Sequence, residues 1–76
     1  KTGERRDPYD LLTDREREIL HLVAAGHSNR EVAQMLNISE HTVHNHRARL
    51  MEKLGIHDRL ELLKYAIRRG IITADM

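Results

Sequence analysis

The chain has 76 residues, a formal net charge of +1 and no cysteine. A chain of this length forms one small domain, and without cysteine it can have neither a disulfide framework nor a thiolate metal site. The apolar residues are almost all aliphatic, and none of their runs is long enough for a transmembrane helix or a signal peptide. We therefore expect a small soluble domain that resides in the cytoplasm and does not bind membranes.

The first ten residues differ from the rest of the chain. Residues 1 to 10 are polar, contain the only proline, Pro8, and show no periodicity of apolar residues. Such a segment is typical of a linker or arm. We expect the domain to occupy residues 11 to 76.

Four helix starts follow this arm. Thr13, Ser28 and Asp58 each precede a glutamate by three residues, which is the pattern of a capping box at a helix N-terminus. Ser39 offers a fourth N-cap, although its third following residue is Thr42 rather than a glutamate.

The expected helix ends are equally regular. Gly26, Asn37, Gly55 and Gly70 accept the left-handed backbone conformation that commonly closes a helix. Apolar residues recur at helical spacing between these starts and ends, and no strand pattern competes. The predicted fold class is all-α, with four helices around one aliphatic core at residues 14 to 25, 29 to 36, 40 to 54 and 59 to 69.

The link between the second and third predicted helices is short. It consists of residues 37 to 39, too few for the two helices to lie antiparallel, so they must cross at a steep angle. This predicts a helix-turn-helix over about residues 29 to 54. An inert helical corner would have the same geometry, so the exposed face of the third helix has to distinguish the two.

Residues 41 to 51 contain three histidines, two arginines and no acidic residue. If Val43, Leu50 and Leu54 face the core, a rotation of about 100° per residue directs six side chains away from it: His41, His44, Asn45, Ala48, Arg49 and Glu52. Asparagine, histidine and arginine can hydrogen-bond to base edges, and a small alanine permits close approach. Thr42 can bind a phosphate at the helix start. This face suits the major groove of DNA.

The three histidines also raise the question of a metal or catalytic site. His41 and His44 could meet on one side of the helix, but His46 lies on the other side and no carboxylate completes a tetrahedral set. Catalysis needs a pocket, for which a thin aliphatic bundle leaves little room. We expect no metal, no cofactor and no enzymatic activity.

Spaced motifs run through all four predicted helices: Leu12-Thr13-x-Arg15-Glu16, Gly26-x-Ser28-Asn29-Arg30-Glu31-x-Ala33, Ile38-Ser39, Thr42-Val43-x-x-His46 and Lys53-Leu54-Gly55. Together they resemble the LuxR-type helix-turn-helix domain, the DNA-binding output module of many bacterial response regulators and quorum-sensing activators. The resemblance covers residues 11 to about 72. Residues 46 to 49, His-Arg-Ala-Arg, resemble the branch related to nitrogen-fixation response regulators in particular.

The resemblance implies a sequence-specific transcription regulator whose third helix lies in the major groove of double-stranded DNA. The positions that typically serve phosphates are occupied by Arg30, Thr42, His46 and Arg49. The positions where bases are commonly contacted are occupied by His44, Asn45 and Ala48. With His41 and Lys53, these residues form the expected DNA-binding set.

The resemblance further implies a homodimer formed through the fourth helix. The residues expected at its interface are Leu60, Lys64, Ile67 and Arg68, which form a second stripe beside the core residues. RNA polymerase is a candidate further partner. A receiver or ligand-binding domain usually lies N-terminal in such regulators.

Two alternatives stay open at this point. A promoter-recognition domain of a sigma factor has a similar helix-turn-helix, although the fourth helix and residues 70 to 72 favour the LuxR type. A helical protein-interaction module, in which the histidine-rich face is incidental, is the second alternative. A steep loss of DNA affinity with salt would exclude the second alternative.

Overall fold

The structure is a computed structural model that describes residues 7 to 71. A one-turn 3-10 helix, Pro8–Leu11, comes first, and four α-helices follow: α1, Asp14–Ala24; α2, Asn29–Leu36; α3, Glu40–Leu54; and α4, Arg59–Arg69. The described residues include no β-strand. The all-α, four-helix prediction is confirmed, and each predicted helix boundary lies within one residue of the observed one.

The first two α-helices begin with complete capping boxes. The hydroxyl of Thr13 accepts a hydrogen bond from the backbone N–H of Glu16 at 3.1 Å, and the Glu16 carboxylate accepts one from the Thr13 N–H at 2.9 Å. Ser28 and Glu31 repeat the arrangement at α2 with the same distances. Each box satisfies two backbone donors that a helix leaves unpaired at its start.

The other two helix starts use a single cap. The Asp58 carboxylate accepts from the backbone N–H of Glu61 at 2.9 Å, but the Glu61 carboxylate accepts from the N–H of His57 at 2.7 Å and not from that of Asp58. Only half of the third predicted capping box therefore forms. At α3, the hydroxyl of Ser39 accepts from the N–H of Thr42 at 3.0 Å.

Left-handed residues close three of the helices. Asn37 ends α2 with φ 58° and ψ 47°, while Gly55 and Gly70 end α3 and α4 with φ 70° and 80°. After Asn37, the N–H of Ile38 donates to the carbonyl of Ala33 at 3.0 Å. This bond turns the chain sharply and sets the start of α3 beside the end of α2.

One aliphatic core joins the four α-helices. Its fully buried side chains come from every helix: Ile19, Leu20 and Val23 of α1, Val32 of α2, Val43 and Leu50 of α3, and Leu62 of α4. Burial of each such side chain contributes about 1.5–3 kcal/mol. Because α3 packs mainly against α1 and α2, its remaining face is left to solvent.

Residues 7 to 10, which the composition assigns to a linker or arm, pack on this domain. The Asp7 carboxylate accepts from the hydroxyl of Tyr65 at 3.1 Å and lies 3.3 Å from Nη1 of Arg69, and the side chain of Tyr9 packs against the core. Burial and the Asp7 carboxylate raise the pKa of Tyr65 to about 12. These contacts attach residues 7 to 10 to α4 and to the core. Residues 1 to 6 and 72 to 76 lie outside the described residues.

Candidate nucleic-acid interface

The solvent face of α3 carries the side chains that helical spacing directs outward. All six are exposed: His41, His44, Asn45, Ala48, Arg49 and Glu52. Val43 and Leu50, on the opposite side, are fully buried. The predicted orientation of α3 is therefore confirmed, whereas contact of these residues with DNA stays a prediction.

The start of α3 is fixed by a hydroxyl pair that leaves one donor unused. The hydroxyl of Ser39 donates to Oγ1 of Thr42 at 2.8 Å. Since a threonine hydroxyl has one proton and two lone pairs, the proton of Thr42 stays available to an outside acceptor. Arg30 of α2 is exposed as well, so α2 and α3 both present hydrogen-bond donors to solvent.

Acidic side chains lie at the two ends of the exposed α3 face but not between them. Glu40 lies in the first turn of α3 and Glu52 near its end, and both are exposed. Between them, residues 41 to 51 contribute donors and cations but no carboxylate. An anion is therefore best accommodated along the middle of α3.

His46 lies on the core side of α3. Its side chain is half-buried, and its Nδ1 atom is buried without a hydrogen-bond partner among the described residues. A positive charge on His46 is the smallest of the influences that lower the pKa of Glu16. The structure thus separates His46 from the other expected DNA-binding residues.

Lys53 also points toward α1. Its Nζ atom lies 2.8 Å from Oε1 of Glu16, whose side chain is only 3% exposed, and donates to the carbonyl of Leu11 at 3.3 Å. Burial opposes ionisation of Glu16, but hydrogen bonds from Lys53 and the Thr13 N–H, with the nearby positive charges, lower its pKa below the ordinary value. A phosphate contact by Lys53 would compete with this ion pair.

Arg47, which was not among the expected DNA-binding residues, connects α3 to the start of α2. Its side chain is half-buried, and its Nη1 donates to Oδ1 of Asn29 at 2.8 Å. Burial and the positive charge of Arg59 lower the pKa of Arg47. The sequence offered only one signal for this contact between α3 and α2, namely a second arginine next to the exposed face of α3.

The outer face of α4 combines apolar and cationic side chains. The four residues expected at a dimer interface, Leu60, Lys64, Ile67 and Arg68, are all exposed. Leu60 and Ile67 expose 61% and 41% of their surface, whereas Leu62 and Ala66 face the core. This stripe is therefore separate from the core.

Residues 7 to 71 contain no group of three or more His, Cys, Asp or Glu side chains that could hold a metal ion. Over the same range, no helix combines the length and the apolar character needed to cross a membrane.

Two helices joined by a three-residue turn, the second with an exposed polar face, define a helix-turn-helix within a four-helix domain. The model of the family described as "Bacterial regulatory proteins, luxR family" matches residues 10–66. The chain belongs to this family. The resemblance inferred from the sequence is confirmed, and the description of the family as regulatory proteins agrees with the expected class of function.

The curated relatives are longer proteins. The chain is 44% identical over 73 residues to the "Uncharacterized response regulatory protein YgeK" of Escherichia coli K12. The matched region covers 96% of this chain and 50% of the relative. It is 39% identical over 71 residues to the "Oxygen regulatory protein NreC" of Staphylococcus aureus JH9, and this match covers 93% of this chain and 33% of the relative. The chain thus spans between a third and a half of these relatives.

Two solved structures share the fold. Full-length FixJ from B. japonicum superposes with a TM-score of 0.78 at 32% identity, over 87% of this chain and 32% of FixJ. The transcription factor GerE superposes with a TM-score of 0.70 at 38% identity, over 86% of this chain and 97% of GerE. This chain thus covers nearly all of the GerE chain but only about a third of the FixJ chain.

Proposed function

We propose that this chain is the DNA-binding output domain of a bacterial response regulator and that α3 lies in the major groove. The observation that carries this proposal is the exposed face of α3, where an amide, imidazoles and a guanidinium are presented with no carboxylate between Glu40 and Glu52. The longer relatives, named as regulatory proteins, support the assignment to an output domain.

His44, Asn45 and Ala48 are proposed to contact bases. They are exposed in the N-terminal half and middle of α3, and the N-terminal residues of a recognition helix contact base edges. An asparagine amide can donate to and accept from the edge of adenine, histidine can donate to guanine, and alanine can contact the methyl group of thymine. These three residues would therefore set the sequence preference.

Arg30, His41, Thr42 and Arg49 are proposed to contact phosphates. They surround the base-contacting residues, and a threonine hydroxyl or a cationic side chain at such a position orients the protein without selecting a sequence. The interface that we propose does not include His46 and Lys53. His46 is half-buried on the core side, and the ammonium of Lys53 is paired with a buried carboxylate.

A homodimer through α4 completes the proposal. Leu60 and Ile67 offer apolar surface, and Lys64 and Arg68 flank it, so that two copies related by a twofold axis would contact two half-sites. Such a regulator acts in the cytoplasm, where the bacterial chromosome lies. RNA polymerase is a further proposed partner, because a regulator bound beside a promoter is within its reach.

The test is DNA affinity as a function of salt. Fluorescence anisotropy with a labelled mixed-sequence duplex, measured from about 50 to 300 mM salt, should give a linear loss of log affinity with a slope of about −0.9 per phosphate contact. Arg49→Gln should reduce the magnitude of this slope by about one.

Arg15→Gln is the matched control. Arg15 lies on α1, where its Nη1 is 3.1 Å from Oε1 of Glu18, so this variant removes the same charge away from the proposed interface. Equal slopes for the Arg49 and Arg15 variants would contradict the proposal. Binding that does not depend on salt would contradict it as well and would favour a protein-interaction module.

A further inference from the structure

The environment of Arg47 is unusual for a cation. Its guanidinium is half-buried, yet none of the described carboxylates lies within ion-pair distance. The side-chain partner in the described structure is the neutral amide of Asn29, at 2.8 Å. A half-buried charge without a counterion carries a desolvation cost that an external anion could offset.

The hydrogen bond to Arg47 also orients Asn29. Guanidinium groups have donors only, so the atom of Asn29 that faces Arg47 must be the carbonyl oxygen. The NH2 group of Asn29 is thereby directed away from Arg47. Asn29 is the first residue of α2, where the backbone N–H groups and the helix dipole favour negative charge.

A second cationic group lies near this pair. Arg59, the first residue of α4, is exposed and close enough for its charge to oppose that of Arg47. The adjacent Asp58 does not neutralise the site by ion pairing in the structure, since its carboxylate caps α4 through the N–H of Glu61. The two guanidiniums and the amide therefore come from three helices.

The recess at Arg47 opens onto the proposed base-contacting face. It has a volume of about 380 Å³, and Asn29 and Arg47 share its lining with His44, Ala48 and Met51. An anion bound there would lie directly beside the residues proposed to contact bases. A phosphate of the DNA backbone has the charge and acceptor oxygens that this arrangement lacks.

We propose that Arg47 and Asn29 form a second phosphate-binding site, which takes a backbone phosphate of the duplex whose bases α3 contacts. This inference rests on the proposed function and extends it. It assigns Arg47 two tasks, since the same guanidinium orients the Asn29 amide and neutralises the phosphate.

Asn29→Asp gives the sharpest test, because it should change folding and binding in opposite directions. A carboxylate at the first residue of α2 interacts favourably with the helix dipole and can pair with Arg47, so the urea midpoint should be unchanged or higher. The same carboxylate would fill the site with negative charge, so affinity for the mixed-sequence duplex should fall by about tenfold. A purely structural Asn29–Arg47 contact predicts no loss of DNA affinity.

Substitutions at Arg47 and Arg59 separate charge from packing. Arg47→Met keeps an apolar side chain of similar length and should reduce the magnitude of the salt slope by about one, whereas Arg47→Lys should restore it. Arg59→Gln should reduce the slope as well, while the control Arg15→Gln should not. Circular dichroism confirms that each variant is folded.

The outcomes distinguish this inference from the function on which it rests. If the parent protein does not bind duplex DNA, both fail. If the parent binds with a steep salt slope but Arg47→Met and Asn29→Asp bind as the parent does, only the second site is refuted. Inorganic phosphate at fixed ionic strength should compete only weakly. Competition at low millimolar phosphate that disappears in Arg47→Met would assign the site to the free anion and overturn the assignment to DNA.

Discussion

The ammonium of Lys53 lies 2.8 Å from the carboxylate of Glu16 and joins α3 to the start of α1 across 37 positions of sequence. The same carboxylate oxygen accepts from the backbone N–H of Thr13. One buried side chain therefore caps α1 and holds α3 in place. This contact adds to the packing of α3 against α1 in the aliphatic core.

Lys53→Met should destabilise the domain. The variant leaves the buried Glu16 carboxylate with the Thr13 N–H but without its cation, and an under-satisfied buried acceptor of this kind costs about 1–3 kcal/mol. The upper values known for broken buried ion pairs do not apply, because about a third of the Lys53 side chain is exposed (34%). Urea unfolding followed by circular dichroism measures the loss.

The double variant Lys53→Met, Glu16→Gln is the control. A glutamine can still accept from the Thr13 N–H and needs no cation, so part of the stability lost in the single variant should return. If the double variant loses as much stability as the Lys53→Met and Glu16→Gln single variants together, the ion pair is not what stabilises this contact.

Stability should also fall with acid, because the folded-state pKa of Glu16 lies below its ordinary value of 4.5. A depressed pKa means that the contribution is fully present above the unfolded-state pKa and is lost as pH falls through the folded-state pKa. The urea midpoint should therefore decrease from about pH 6 downward. Glu16→Gln should show a shallower decrease. A variant that follows the parent curve would show that other carboxylates account for the acid sensitivity.

The positions of the helices were predictable because they depend on local chemistry. Thr13 and Ser28 each cap a helix through a residue three positions away, and Asn37 and Gly55 close helices through bonds to the preceding turn. Each signal lies within a few residues of the feature that it determines. Helix bounds could therefore be inferred from the sequence to within one residue.

Contacts between distant segments were not predictable in the same way. Asp7 meets Tyr65 across 58 positions, and nothing in the composition of the first ten residues indicates that Asp7 contacts α4. The capping glutamate, Glu16, was recognised as a local feature, but its burial depends on the packing of α3 against α1. Lys53 belongs to the expected DNA-binding set, but its long side chain reaches Glu16 in the structure.

The turn between α2 and α3 can be tested at Asn37. Its φ of 58° places it in the left-handed region, where a residue with a Cβ other than asparagine or aspartate pays about 1–2 kcal/mol. Asn37→Ala should therefore lower the free energy of unfolding by about 1 kcal/mol, whereas Asn37→Gly should leave it unchanged or raise it. Equal effects of the two variants in urea unfolding would show that backbone conformation does not determine the choice of residue here.

The dimer stripe on α4 can be tested with Leu60→Glu. Leu60 is 61% exposed, so the substitution should not disturb folding, but in the proposed dimer it would place two negative charges against each other across the twofold axis. Cooperative binding to a duplex with two half-sites should weaken, while binding to a single half-site should stay nearly the same. An equal loss on both duplexes would place Leu60 at the DNA and not between two copies.

The central claim, that the exposed face of α3 contacts bases, is tested most directly by selecting bound sequences from a random duplex pool. The parent protein should enrich a defined site, and Asn45→Ala should lose preference at one base position of each half-site, with affinity for the parent's site reduced by about 1–3 kcal/mol. Arg49→Ala, selected in parallel, should bind more weakly but enrich the same site. An unchanged site for Asn45→Ala with an altered one for Arg49→Ala would reverse the assignment of base and phosphate contacts. No enriched sequence for the parent would contradict sequence-specific binding by this face.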